Sequence, residues 1–250
     1  MIAGEASGDL HGSNLIRELK KLDVAADFRC WGGDLMQQAG GTLVKHYRDL
    51  AFMGFAEVLK NLPTILANIK FCKQDIAAFN PDVLILIDYP GFNLRIAEWA
   101  KTQNKKVVYY ISPQVWAWKE SRVKKIKKVV DKMLVILPFE KEFYETKWDY
   151  KVDYVGHPLV QVISEAEEKK EALKTYRAGG NAIQEASSTN GLHQKIIALL
   201  PGSRRQEIAV KLPIMLQASR QFPAYRFIIA QAPGQPVAFY EPLIAAYKNV

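Results

Sequence analysis

Three observations predict a doubly wound α/β fold of two domains, the second of them incomplete. Strand-like and helix-like segments alternate almost throughout the chain. Val83–Ile87 (VLILI) is apolar without interruption, the mark of a strand covered on both faces in a parallel sheet. A charged and then polar stretch at 164–194 separates the long first series of units from a second β-α-β series. The expected domains are therefore 1–160, a linker with a polar insertion at 161–194, and an incomplete second domain at 195–250.

The elements follow in order. A glycine-containing loop at 4–9 leads into a helix over 10–22, and 28–31 is a short strand stopped by Gly32 and Gly33. Residues 58–79 read as a long helix with Pro63 near its first turns, where proline is tolerated. Pro81 turns the chain into the strand 83–87, and a helix follows at 94–103. The strand 107–111 ends at Ser112 and Pro113, since proline offers no N–H to a ladder. A basic helix at 119–128, a strand at 133–137, a helix at 139–147 opened by Pro138 and a strand at 152–155 complete the first domain. Gly156, His157 and Pro158 break the pattern. A charged helical part at 165–176 and a polar run at 179–190 come next. The second domain reads as strand 196–200, tight turn 201–205, helix to about 221, strand 226–230 and helix 241–248, with 249–250 opening another strand. The first loop arrives after three residues, where such a fold places a whole strand, so a fragment cut at both ends is expected.

The chain has 250 residues, 49% of them hydrophobic and 24% charged, an ordinary globular balance. Its net charge of +8 suits nucleic acid, anionic lipid or a phosphorylated substrate without choosing among them. Cys30 and Cys72 form neither metal-ligand spacing nor a disulfide framework, which fits a reducing compartment. His11, His46, His157 and His193 show no ligand spacing, so no metal and no cofactor are expected. No apolar run approaches the roughly 20 residues of a spanning helix.

Five places carry chemistry. Gly4–Asp9 (GEASGD) joins strand to helix, where glycine lets a ligand approach and the helix N-terminus favours an anion, with Asp9 alternatively a plain N-cap. It lacks the dinucleotide-binding glycine spacing. Asp88 follows five apolar residues, and a carboxylate at such a strand end can act as a general base; the alternative is a helix cap, for which Asn93 competes. Trp116 and Trp118 occupy a loop at the carboxyl end of a strand, beside a helix with six basic residues and one acidic residue in ten. That pairing suits a ligand or surface part apolar and part anionic, or simply a core tryptophan with a solvated helix face. His157 sits at a domain boundary. Gly202, Ser203, Arg204 and Glu207 lie on a second strand-helix turn, suited to a pyrophosphate or to no ligand at all. Phe55, Leu59, Leu62, Leu66 and Ile69 recur at helical spacing and face either lipid or the core.

Seven segments, at 3–9, 53–59, 87–93, 112–118, 137–140, 155–158 and 200–204, together resemble the lipid-A-disaccharide synthase family, in the family's order and over most of residues 1–205. One departure is Gly91, where the family commonly has Asp. The resemblance implies two Rossmann-like domains of the B-type glycosyltransferase fold and an inverting transfer that needs no metal. It implies a UDP-2,3-diacylglucosamine donor and a 2,3-diacylglucosamine 1-phosphate acceptor, condensed to lipid A disaccharide 1-phosphate and UDP. Asp88 would deprotonate the acceptor hydroxyl. Glu5, Ser7, Gly8, Asp9, Asn93, Ser112, Trp116, Trp118, Arg122, Glu140 and His157 would bind substrate. Gly202, Ser203, Arg204 and Glu207 would bind the nucleotide sugar, with Arg204 offsetting charge on the departing UDP. It further implies a peripheral protein on the cytoplasmic, anionic face of the inner membrane, and it leaves room for a homo-oligomer; no nucleic-acid partner is expected. Two alternatives are another UDP-sugar enzyme of the same fold, such as a non-hydrolysing epimerase, and a basic RNA-binding module using Trp and Lys to stack bases.

Overall fold

The computed structural model describes residues 1–50, 62–179 and 195–250, which form two compact units, Met1–Lys169 and Lys170–Val250. The first unit is built on a seven-stranded sheet in which every pairing is parallel. Its strands are β1 (Ile2–Ala3), β2 (Arg29–Gly32), β3 (Thr42–His46), β4 (Val83–Ile87), β5 (Lys106–Tyr110), β6 (Lys132–Val135) and β7 (Asp153–Tyr154), in the order β3-β2-β1-β4-β5-β6-β7. The order reverses between β1 and β4, the position beside which open α/β sheets bind ligands.

Side chains alternate across each strand, and the alternation divides the interior in two. Ile2, Leu84, Leu86, Val107 and Tyr109 join one buried cluster, whereas Ala3 and Ile87 join another, with Ile85 and Tyr110 packed against it. Helices on the sheet are α1 (Ala6–Leu22), α2 (Asp34–Gln38), α3 (Leu62–Phe79), α4 (Pro90–Thr102), α5 (Val123–Val129) and α6 (Pro138–Glu142). A π-helical turn, Phe143–Lys147, continues α6. Asp75 on α3 is buried and accepts from Arg29 Nε (2.7 Å) and Trp31 Nε1 (3.0 Å), fastening α3 to β2.

α7 (Leu159–Gly179) leads into the second unit, whose described part holds β8 (Ile196–Leu199), α8 (Arg205–Ser219), β9 (Arg226–Ile229) and α9 (Val237–Ile244). β8 and β9 pair in parallel over a core of Leu199, Ile208, Leu212, Leu216, Phe227 and Tyr240. The Phe227 N–H donates to the Asn249 carbonyl at 2.7 Å, in keeping with the strand expected to open there.

Several expectations are corrected. Helix α1 begins at Ala6, four residues early, so most of the loop expected at 4–9 is helical. α2 and β3 carried no recognised signal, being short and edge-placed. α4 begins at Pro90 and α9 ends at Ile244. The charged helical part expected at 165–176 lies within α7, which starts earlier, at Leu159. Phe52, Met53, Gly54, Phe55 and Leu59, with the polar insertion at 180–194, lie outside the described residues. Of the α3 residues set at helical spacing, Ile69 is buried, while Leu62 and Leu66 are exposed.

Candidate functional site

The predicted first-unit residues gather on the loops that follow β1, β4, β5, β6 and β7, at the carboxyl edge of the sheet. The turn after β4 is the most constrained. Asp88 and Tyr89 both adopt left-handed backbone, φ +43° and +50°, which costs a non-glycine residue about 1–3 kcal/mol. Buried donors hold it. The Asp88 N–H extends the ladder to the Tyr110 carbonyl (3.1 Å), and the Asp88 carbonyl accepts from Asn93 Nδ2 (2.7 Å) and the Tyr109 hydroxyl (2.5 Å). The Tyr89 hydroxyl donates to the Leu50 carbonyl (2.9 Å), and its ring lies so close over Gly4 that a Cβ there would collide with it. Burial, with the Glu5 charge adding, pushes the Tyr89 hydroxyl up to about 12. Asp88 itself is half-buried.

Around this turn the expected ligand residues separate into two kinds. Glu5 is the N-cap position of α1 and half-buried, and Ser7 is exposed in the first turn of that helix. Both remain at the surface beside the β1 end. Gly8 is buried where α1 presses on β1, a Cβ there meeting that of Ala3 at 3.0 Å. Asp9 is 3% exposed, and its carboxylate accepts from the amides of Gly33 (2.9 Å), Leu35 (3.1 Å) and Met36 (2.9 Å). It therefore caps α2 rather than its own helix. Asn93 is fully buried, and its amide nitrogen also reaches the Ile87 carbonyl (3.2 Å), so it fastens the strand end. A Cβ placed at Gly91 meets nothing within 4 Å, so the position is open.

The loop after β5 starts with a third strained residue, Ile111 at φ +65°. Ser112 is buried, its hydroxyl 2.7 Å from that of Tyr144 in the π-helical turn. Glu140 is buried as well and accepts from the amides of Ile136 (3.2 Å) and Leu137 (3.0 Å), reaching back from the first turn of α6 to the N-cap amide. Burial raises its pKa, while the bonds from Leu137, Ile136 and the Trp116 indole pull it back. Ser112 and Glu140 are thus bonded within the chain and support the loop from behind. The two tryptophans differ. Trp116 is tied to Glu140 and stands edge-on to Phe139, centroids 4.9 Å apart, whereas Trp118 is 58% exposed between Lys119 Nζ (4.5 Å) and the Arg122 guanidinium (5.2 Å).

The basic helix resolves into a 3₁₀ turn, Glu120–Arg122, and α5. Val123, Ile126 and Val129 are buried, so the lysines point outward. Lys125 pairs with Glu98 (2.9 Å), and Lys127 donates to the Trp148 and Asp149 carbonyls. Lys124 and Lys128 are exposed without an acidic partner among the described residues. His157, half-buried, accepts from the Leu159 amide through Nδ1 (3.2 Å) and starts α7. Burial, with His157 nearby adding to it, lowers the pKa of His11.

In the second unit the turn after β8 reaches φ +118° at Gly202, and Ser203 and Arg204 are exposed just before α8. Glu207 folds back over Gly202, where a Cβ would come within 2.6 Å of its carboxylate. Among the described residues no group of three or more His, Cys, Asp or Glu could hold a metal ion, and no helix is long and apolar enough to cross a membrane.

Sequence reasoning missed Tyr89, Tyr109 and Tyr144. Only Tyr109 offered a signal, a hydroxyl inside the apolar run 107–111, because a buried tyrosine tip needs a partner. The left-handed pair had no signal, since neither residue is glycine.

A family model described as lipid-A-disaccharide synthetase matches residues 1–245. The lipid-A-disaccharide synthase of Geobacter metallireducens is 41% identical over 250 residues, covering 98% of this chain and 62% of that relative. That of Nitrosococcus oceani is 40% identical, covering 100% of this chain and 59% of the relative. The chain thus spans about 60% of the length of these curated relatives. Among solved structures, UDP-GlcNAc 2-epimerase from Neisseria meningitidis bound to UDP-GlcNAc aligns with a TM-score of 0.60 at 14% identity, over 100% of this chain and 70% of that one. At that identity the likeness shows the fold alone.

Proposed function

The chain belongs to the lipid-A-disaccharide synthase family, and from that premise we propose that the complete protein is an inverting glycosyltransferase of lipid A biosynthesis. Its donor is UDP-2,3-diacylglucosamine and its acceptor 2,3-diacylglucosamine 1-phosphate. The carrying observation is Asp88, a half-exposed carboxylate at the topological switch point on a backbone fixed by buried donors. Asp88 takes the proton of the acceptor 6-hydroxyl as that oxygen attacks the anomeric carbon, and the carbon–oxygen bond to UDP breaks on the opposite face. Arg204 and the N-terminus of α8 offset the charge that collects on the leaving diphosphate. Glu5, Ser7, Arg122 and His157 remain the surface candidates for acceptor contacts. Mixing the complete protein with both lipids should release UDP and the β-1,6-linked disaccharide 1-phosphate in equal amounts. Epimerised UDP-sugar without disaccharide would favour the epimerase alternative instead.

The first unit also meets the anionic cytoplasmic face of the inner membrane, with Trp118 as its apolar contact and Lys124 and Lys128 as free cations. Each lysine near the surface adds roughly 1 kcal/mol of salt-sensitive attraction. Replacing both by Gln should weaken flotation on anionic liposomes several-fold at low salt and leave binding at high salt unchanged. Equal flotation of variant and parent at low salt would make α5 a solvated face only.

A further inference from the structure

We propose that Tyr109 is a positioning residue for the Asp88 carboxylate, acting through the Asp88 main-chain carbonyl together with Asn93. This role presupposes that Asp88 is the base. Tyr109 lies one residue before the end of β5, directly beside Leu86 in the parallel register, and its ring is wholly buried. Its hydroxyl therefore has one direction in which to find a partner, along the sheet toward the carboxyl edge. It reaches the carbonyl at which β4 leaves the ladder, at 2.5 Å, and Asn93 Nδ2 reaches the same oxygen at 2.7 Å. A carbonyl taken by two buried donors has little freedom to rotate.

That constraint bears on chemistry through the backbone on either side of the carbonyl. Asp88 and Tyr89 are consecutive non-glycine residues with positive φ, a conformation they leave readily unless the surroundings over-determine it. Relaxation to extended backbone would swing the Asp88 Cα–Cβ bond and carry the carboxylate off its line to the acceptor hydroxyl. Misplacement by about 1 Å can lower a rate by as much as 10²-fold. Burial, with the Asp88 charge adding, keeps the Tyr109 hydroxyl protonated well beyond the ordinary tyrosine range, so it stays a donor across the working pH.

Tyr109→Phe keeps the ring and deletes the donor. In the complete protein it should lower kcat about tenfold with the acceptor KM within about twofold. The decisive measurement repeats the substitution in an Asp88→Asn background, with a radiolabelled donor so that residual turnover is quantified. A residue acting through the Asp88 carboxylate has nothing further to lose there, so Tyr109→Phe should leave the residual rate unchanged. Asn93→Ser, which withdraws the second donor, should show the same dependence on Asp88. Equal losses in both backgrounds, or a lower melting temperature with unchanged kcat, would make Tyr109 a core residue only and overturn the proposal. Near-normal turnover of Asp88→Asn alone removes the base itself, a separate failure that carries the positioning role with it.

Discussion

The turns after β4 and β8 both join a parallel strand to a helix at a carboxyl sheet edge, yet they are held in opposite ways. After β4 the left-handed backbone falls on Asp88 and Tyr89 and is maintained by the Asn93 amide, the Tyr109 hydroxyl and the close fit of the Tyr89 ring over Gly4. After β8 the positive φ falls on Gly202, to which such backbone is free, and the closing contact is the movable end of Glu207. Ser203 and Arg204 beside it are exposed. The first turn is shaped by the protein interior and can hold one group in one place. The second has its shape from a single residue and can adjust around a ligand. The roles proposed for the two turns differ in the same sense, a general base needing a fixed position and an anion contact tolerating adjustment.

Substitutions test that contrast, from the largest expected effect downward. Asp88→Asn in the complete protein should lower turnover by about 10²–10⁴ with melting temperature and acceptor affinity nearly unchanged; turnover within a few-fold of the parent would remove the base assignment. Gly4→Ala forces the Tyr89 ring from its place, and overpacking of this kind costs about 1–3 kcal/mol. Denaturant titration should report that loss, and kcat should fall with it if the ring helps hold the Asp88 turn. Arg204→Ala should raise the donor KM about tenfold, as befits one charge-assisted hydrogen bond. Saturation kinetics in each substrate decide the point, because an effect confined to the acceptor would reverse the roles given to the two units. Gly202→Ala should cost about 1–3 kcal/mol of stability through the strain of alanine at φ +118°, with the smallest change in kcat of the four because that turn does not hold Asp88. A fall in kcat as large as that of Gly4→Ala would erase the contrast between the two turns.

The fold was legible where period and punctuation agree. Val83–Ile87 is a strand to the residue, and the strands expected near 107, 133, 196 and 226 appear within one or two residues of their bounds. Polar residues inside motifs were legible only as present. Asp9, Asn93, Ser112 and Glu140 sit in segments that carry chemistry, but spacing cannot tell a carboxylate that faces solvent from one that caps a neighbouring helix. All four are buried and bonded to the chain itself. Glu5, Ser7, Asp88, Trp118, Arg122, His157 and Arg204 stay exposed or half-exposed, and nothing in their spacing sets them apart from the buried four. The strained pair at 88 and 89 was invisible because long-range donors, not local sequence, impose it.

Asp9 has one more consequence, for how the amino-terminal half assembles. α2 has five residues, too few to persist alone in water. Its first amides are held by a carboxylate 24 to 27 positions earlier, on α1. The short helix therefore cannot form until α1 has settled on the sheet, and it opens whenever α1 departs. Two consecutive β-α units, separable on paper, are bound by one side chain into a single cooperative folding unit, within which the amides of Gly33 and Met36 share the protection of a helix to which they do not belong.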